Sequence, residues 1–114
     1  MVYTEQFYVG YSDCGADMTL SNTALLRYFE NIASMHGAAV GDSPLEVPYR
    51  WVLLSYHVCV LRRPKFNSRV TLKSWNRAGK GVTSCREFEL YDENGDLLCT
   101  AISNWVRVDA ETGK

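Results

Sequence analysis

A single helix-forming segment, Ser21 to Gly37, is followed only by long strand-like segments as far as Asp109. That order limits the fold more than any one residue does. At about 100° per residue, Leu25, Leu26, Phe29, Ile32, Ala33 and His36 fall on one side of the helix, and Arg27, Asn31 and Ser34 fall opposite. A lone helix with such a stripe must bury it. The only large partner on offer is a sheet built from the rest of the chain. With 114 residues there is room for one domain with a real core, and not for two.

Gln6 to Tyr11 is rich in aromatic and β-branched residues and reads as a first strand. Ser12 to Leu20 is a turn-rich connector, and Thr19 or Ser21 caps the helix that follows. Gly37 and Gly41 end the helix, and Gly41 to Pro48 is a loop. Arg50 to Arg62 is apolar on both faces. Val52, Leu54, Tyr56, Val58 and Val60 take one side; Trp51, Leu53, His57, Cys59 and Leu61 take the other. A strand greasy on both sides is central in its sheet or covered by a partner.

Arg69 to Asn76 is the next strand, and Arg77 to Gly81 is a glycine-bearing turn. Val82 to Tyr91 and Leu97 to Val108 form a last hairpin around Asp92-Glu93-Asn94-Gly95, a type I′ signal. A two-residue turn there sets Phe88 against Ala101, Leu90 against Cys99 and Ser84 against Trp105 on the inward face. Glu87 opposite Ile102 and Glu89 opposite Thr100 make the wetter one. Strands of about ten residues, roughly 33 Å, can curl around a helix roughly 25 Å long. The expected fold is α+β: a single hotdog domain over 1–114, a curved antiparallel sheet wrapped around one central helix.

The net charge of −1 offers no bulk attraction to nucleic acid or to an anionic membrane. The longest apolar candidate, Trp51 to Leu61, is too short to span a bilayer. The first residues have neither the basic start nor the apolar centre of a signal peptide, so a cytoplasmic location is expected. Cys14, Cys59, Cys85 and Cys99 show no metal-binding spacing, and no metal or cofactor is expected. In the hairpin register Cys85 and Cys99 point to opposite faces and cannot bond. All four read as buried free thiols.

Several segments together resemble the acyl-acyl carrier protein thioesterases. They are Gly10 to Thr19 with its Gly15-Ala16-Asp17 motif, Leu26 to Ala33, Trp51-Val52-Leu53, Lys73-Ser74-Trp75, Cys85-Arg86-Glu87-Phe88 and Ser103-Asn104-Trp105-Val106. Tyr28-Phe29-Glu30 is also similar to single-domain acyl-CoA thioesterases. The resemblance implies a tandem of two hotdog domains that hydrolyses fatty acyl thioesters on acyl carrier protein. In that family a D-x-N-x-H pattern before the second domain's helix carries the catalysis. The corresponding region here, Asp13 to Met18, has neither asparagine nor histidine, and the chain stops at Thr112-Gly113-Lys114, where family members begin their linker. The resemblance therefore implies the N-terminal half, which shapes the pocket for the acyl chain. Its partners would be the fatty acyl chain on acyl carrier protein and a second hotdog domain or a homodimer mate. The alternatives are a non-catalytic acyl-binding or assembly domain, and a homodimeric acyl-CoA thioesterase.

Leu26, Phe29 and Ile32 of the helix, with Trp51, Leu53 and Trp105 of the sheet, are the residues expected to line an acyl slot. Three side chains are weighed as catalytic. Glu30 flanks the helix stripe as a possible base, against the plainer reading of a solvated carboxylate. Asp17 precedes the helix and is read as fixing the turn that leads into it. His57 has no acidic neighbour in sequence to orient it and is read as structural. His36, mid-stripe, is read as a core histidine bonded to backbone. The basic cluster Arg62-Arg63-Pro64-Lys65, with Arg77 and Lys80, suits an acidic carrier surface or a phosphate, against the plainer reading of a solvated strand end.

Overall fold

The computed structural model describes residues 2–41, 45, 47–77 and 82–113. In chain order they form β1 (Tyr3–Tyr8), a single 3₁₀ turn at Tyr11–Asp13, α1 (Asn22–Ala39), β2 (Tyr49–Val60), β3 (Arg69–Arg77), β4 (Thr83–Tyr91) and β5 (Leu97–Asp109). The strands make one antiparallel sheet in the order β1-β3-β4-β5-β2. The helix packs on its inner face, nearest β1 and β3. This is the hotdog arrangement that the order of elements predicts.

Ser21 caps the helix, its Oγ accepting the Ala24 N–H at 3.1 Å. Gly37 does not end it. The helix runs on to Ala39, and Gly41, with φ +83°, takes the left-handed conformation just beyond. One internal glycine costs only about 1 kcal/mol, too little to break a helix whose preceding turn is anchored in the core by His36. The buried side is Ala24, Leu25, Tyr28, Phe29, Ile32 and His36. Tyr28, absent from the predicted stripe, stacks on Phe7 at 4.6 Å and donates its hydroxyl to Asp13 Oδ2 at 2.9 Å. Phe29 lies at the centre of the core, fully buried and stacked on Phe88 at 4.6 Å.

Three strand expectations need correction. The first strand ends at Tyr8 rather than Tyr11, because the Asp13 carboxylate captures the Gly10 N–H at 3.1 Å and draws the chain into the 3₁₀ turn. The second is β2, an edge strand rather than a central one. It stops at Val60 because the N–H groups of Leu61 and Arg62 both turn to the Leu98 carbonyl, at 2.8 and 3.1 Å. It also carries a bulge. Leu53 pairs with Trp105 and Ser55 with Asn104, leaving Leu54 unmatched. The alternation inverts there. Trp51 and Leu53 share the inner face with Tyr56, Val58 and Val60, while His57 and Cys59 face outward beside Ile102 and Thr100.

The third correction concerns the last hairpin, whose register is the predicted one from Ser84 opposite Trp105 to Leu90 opposite Cys99. Its turn differs. Asp92 N–H bonds the Asp96 carbonyl at 2.9 Å, Gly95 has φ +84°, and the Asp92 carboxylate accepts the N–H groups of Asn94 and Asp96. That is a three-residue connection with a left-handed glycine, not type I′. A register shift at Leu90/Tyr91 absorbs the odd residue. The loop expected at Gly41 to Pro48 and the turn at Arg77 to Gly81 lie partly outside the described residues.

One row of the inner face is polar. Ser74 on β3, Arg86 on β4 and Ser103 on β5 are buried there. Arg86 Nη1 donates to Ser74 Oγ at 2.9 Å and lies 2.8 Å from His36 Nδ1. Tyr3 stacks on the imidazole at 5.2 Å. His36 is thus a core histidine, but its partner is Arg86 rather than backbone. Burial, and then the Arg86 cation, hold its pKa below the ordinary value. It stays neutral and accepts the guanidinium N–H.

Two outcomes are expected. Phe29→Ala should destabilise the domain by about 3–5 kcal/mol in denaturant unfolding, as for other aromatic core truncations. Because folded His36 resists protonation, the unfolded chain binds more protons at mildly acidic pH. Stability should be complete above about pH 6.5 and decline as pH falls below it. The carboxylates of Asp17, Asp92 and Asp109, held low by hydrogen bonds, add their own loss only below about pH 4. Unfolding midpoints at pH 7.5 and 5.5 should therefore differ for the natural chain. A difference as large in His36→Gln would show that another group is responsible.

Candidate functional site

With the helix nearest β1 and β3, the inner face of β5 and the first half of β2 stays partly open. A cleft of about 210 Å³ lies there. Two indoles wall it, Trp51 and Trp105. Ala33, Ser34 and Gly37 form the helix side, and Asn76, Ser84 and Arg86 the side toward β3 and β4. Trp105 sits opposite Leu53 on one neighbour and Ser84 on the other, and its Nε1 donates to Ser103 Oγ at 2.7 Å. That bond fixes the ring plane. Ser103 Oγ in turn donates to the Arg86 carbonyl at 3.1 Å, so the indole and the arginine are set by one network.

Of the six residues expected to line an acyl slot, the cleft brings together Trp51 and Trp105. Phe29 and Ile32 are fully buried in the core below it. Leu26 is half-buried against that core, and Leu53 is half-buried on β2 beside Trp105.

The three catalytic candidates do not converge. Glu30 is exposed on the helix. Asp17 is exposed ahead of it, with Oδ1 accepting both the N–H and the hydroxyl of Thr19 at 3.1 and 2.8 Å. Those bonds hold its carboxyl below the usual range and fix the turn before the helix. His57 stands on the outer face, on the far side of the sheet from the cleft, because of the Leu54 bulge. Asp13 is likewise committed, to Gly10 N–H, Tyr28 hydroxyl and, at 3.4 Å, Arg27.

The basic cluster is tied into the fold. Arg62 pairs with Asp92 across the hairpin turn. Arg63 donates to the Leu20 carbonyl at 3.0 Å and to Asn22 Oδ1 at 2.6 Å, clamping the helix start to the end of β2. Arg77 lies 3.7 Å from the Glu87 carboxylate, and Lys80 is outside the described residues. The cysteines are free, but of the four only Cys99 is buried: Cys14 and Cys85 are half-buried, and Cys59 is exposed, again because the bulge turns it outward. Among the described residues, no group of three His, Cys, Asp or Glu side chains is placed to hold a metal ion, and no helix is long and apolar enough to cross a membrane.

Three residues of interest escaped the sequence reading. Arg86 and Asn76 line the cleft, and their signal was present in the alternation. Arg86 falls in the same inward row as Ser84, Phe88 and Leu90, where a charge is out of place. The third, Tyr56, is half-buried beside Phe29 and Phe88, and its buried hydroxyl finds no hydrogen-bond partner among the described residues. Burial, and then the Glu30 carboxylate, push its pKa up to about 12, so it remains a protonated donor.

No curated protein matches this sequence. Solved structures share its fold. The putative oleoyl thioesterase of Lactobacillus plantarum superimposes with a TM-score of 0.94 at 24% identity, over 100% of this chain and 46% of its own. An acyl-ACP thioesterase from Bacteroides thetaiotaomicron gives 0.92 at 21% identity, over 99% of this chain and 48% of its own. The 12:0-ACP thioesterase of Umbellularia californica gives 0.85 at 22% identity, over 99% and 47%. The chain spans about half the length of these relatives. The family model described as the acyl-ACP thioesterase N-terminal domain matches residues 1–114, and the chain therefore belongs to the acyl-ACP thioesterase family.

Proposed function

We propose that residues 1–114 form one hotdog domain that acts as the N-terminal half of an acyl-acyl carrier protein thioesterase. In this reading the domain receives the acyl chain while a second hotdog domain hydrolyses the thioester. The observation that carries it is the cleft walled by Trp51 and Trp105, on the part of the inner face that α1 leaves open. A narrow, largely apolar slot with a few placed polar groups is what an acyl group needs. The dispersal of Glu30, Asp17 and His57 supports a binding half rather than a hydrolytic one. The substrate is a fatty acyl chain on acyl carrier protein, and the setting is cytoplasmic fatty acid metabolism. Free cysteines are in keeping with a reducing compartment.

Purified chain should bind acyl thioesters without turning them over. Binding should quench tryptophan emission, and the change should shrink in Trp51→Phe and Trp105→Phe but persist in Trp75→Phe, which lies on the outer face. Steady hydrolysis well above the uncatalysed rate, lost in Glu30→Gln or Asp17→Asn, would instead establish a homodimeric acyl-CoA thioesterase.

β2 is a long edge strand. It exposes Val52, Leu54 and Val58 at the margin of the sheet. In the tandem enzyme the second domain would cover that edge. Alone, the domain should form a twofold dimer with a continuous sheet. Sedimentation at high micromolar concentration should find the dimer; a monomer at every concentration would count against this assembly.

A further inference from the structure

We propose that the cleft selects short acyl groups that end in a neutral hydroxyl, and that Asn76 and Ser84 are the residues that read it. The proposal rests on the cleft being the acyl pocket and on the thioester entering from the β2 edge, where the second domain would lie. The order of the strands sets the direction. From that edge the sheet runs β2-β5-β4-β3. The lining changes along this path. Trp51 on β2 and Trp105 on β5 present indoles, whereas every lining residue of β4 and β3, namely Ser84, Arg86 and Asn76, is polar. An acyl chain entering at β2 passes the indoles first and ends among polar groups.

Two measures agree on length. From β2 to β4 is two strand spacings, about 10 Å. That is roughly eight bonds at about 1.2 Å each, a third of the advance of one extended residue. A volume of about 210 Å³ holds roughly seven groups at ~30 Å³ each, the share of one water molecule. A chain of about six carbons with a terminal hydroxyl fits both. The polar end then decides the chemistry. Ser84 and Asn76, with Ser34 of α1 lining the same space, make no side-chain hydrogen bond among the described residues. A methyl end placed here would strip their water and return nothing. A hydroxyl offers one donor and two acceptor sites to the same groups. Between the two ends, the indole of Trp105, held by Ser103, flanks the methylenes in a fixed orientation.

The test compares S-heptanoyl- and S-(6-hydroxyhexanoyl)-N-acetylcysteamine, which differ only in a methyl or a hydroxyl at the chain end. Dissociation constants for the purified chain are read by calorimetry. An apolar end wall would favour the heptanoyl compound by about fourfold, the yield of one buried methyl group. The hydroxyl compound should instead bind about threefold more tightly or better, as a neutral hydrogen bond provides. The preference should reverse in the double variant Asn76→Leu, Ser84→Ala. Should that variant fail to fold, Asn76→Leu alone, at an exposed position, should narrow the preference. A hydroxyl moved to carbon 3 of the acyl chain should bring no gain. Heptanoyl binding as tight as 6-hydroxyhexanoyl, or tighter, overturns the hydroxyl proposal and leaves the acyl pocket standing. A preference unchanged in the variants, or an equal gain from the carbon-3 hydroxyl, overturns the reading by Asn76 and Ser84. Failure of both thioesters to bind overturns the pocket and the proposal together.

Discussion

A helix about 10 Å wide cannot cover a sheet about 19 Å wide. This mismatch governs the molecule. Five strands present an inner face broader than α1. The helix settles toward β1 and β3, where Phe29, Ile32 and Leu25 meet Val70, Leu72, Phe88 and Leu90 in one closed cluster. Burial of that cluster is the main stabilising contribution, since a helix of this length has little stability alone. The rest of the inner face, over β5 and the first half of β2, then lacks a helical cover. The cleft and its half-buried indoles follow from that position.

The polar row marks the boundary between the closed and open parts. Arg86 lies under the C-terminal part of the helix, with His36 above it and Ser74 beside it. A buried cation is costly, and losing one of its acceptors would leave it worse off. The helix is thereby pinned in rotation as well as in position. Sliding it toward β5 would fill the cleft but would tear His36 from Arg86. The network that orients the cleft's charge also keeps the helix from closing over it.

Local periodicity carried most of what the sequence revealed. The helix stripe and the register of the last hairpin as far as Leu90 were legible because their periods of 3.6 and 2 lie within short windows. The order of the strands was not, since β1 pairs with β3 and β2 with β5 across long stretches of chain. The partner of His36 lies 50 residues away and left no local trace. The bulge at Leu54 was hidden for another reason. In a run apolar on both faces, one extra residue does not disturb the pattern. Phe29 and Trp51 also looked alike as slot residues, because bulk and hydrophobicity do not distinguish a core filler from a cleft wall. Only the lateral position of the helix separates them.

The bulge in β2 decouples the two ends of one strand. Before Leu54 the inward phase belongs to Trp51 and Leu53, which answer to the cleft; after it the phase belongs to Tyr56 and Val60, which answer to the core. In a regular strand these two sets would be locked on opposite faces. Because the joint lies between them, the cleft end can exchange side chains without disturbing the alternation that holds the core. Removing the single residue at position 54 would leave Leu53 opposite Trp105, Ser55 opposite Asn104 and Tyr56 opposite Ser103 in unbroken alternation, so the indole and the phenol would keep their places and only the joint between them would be lost.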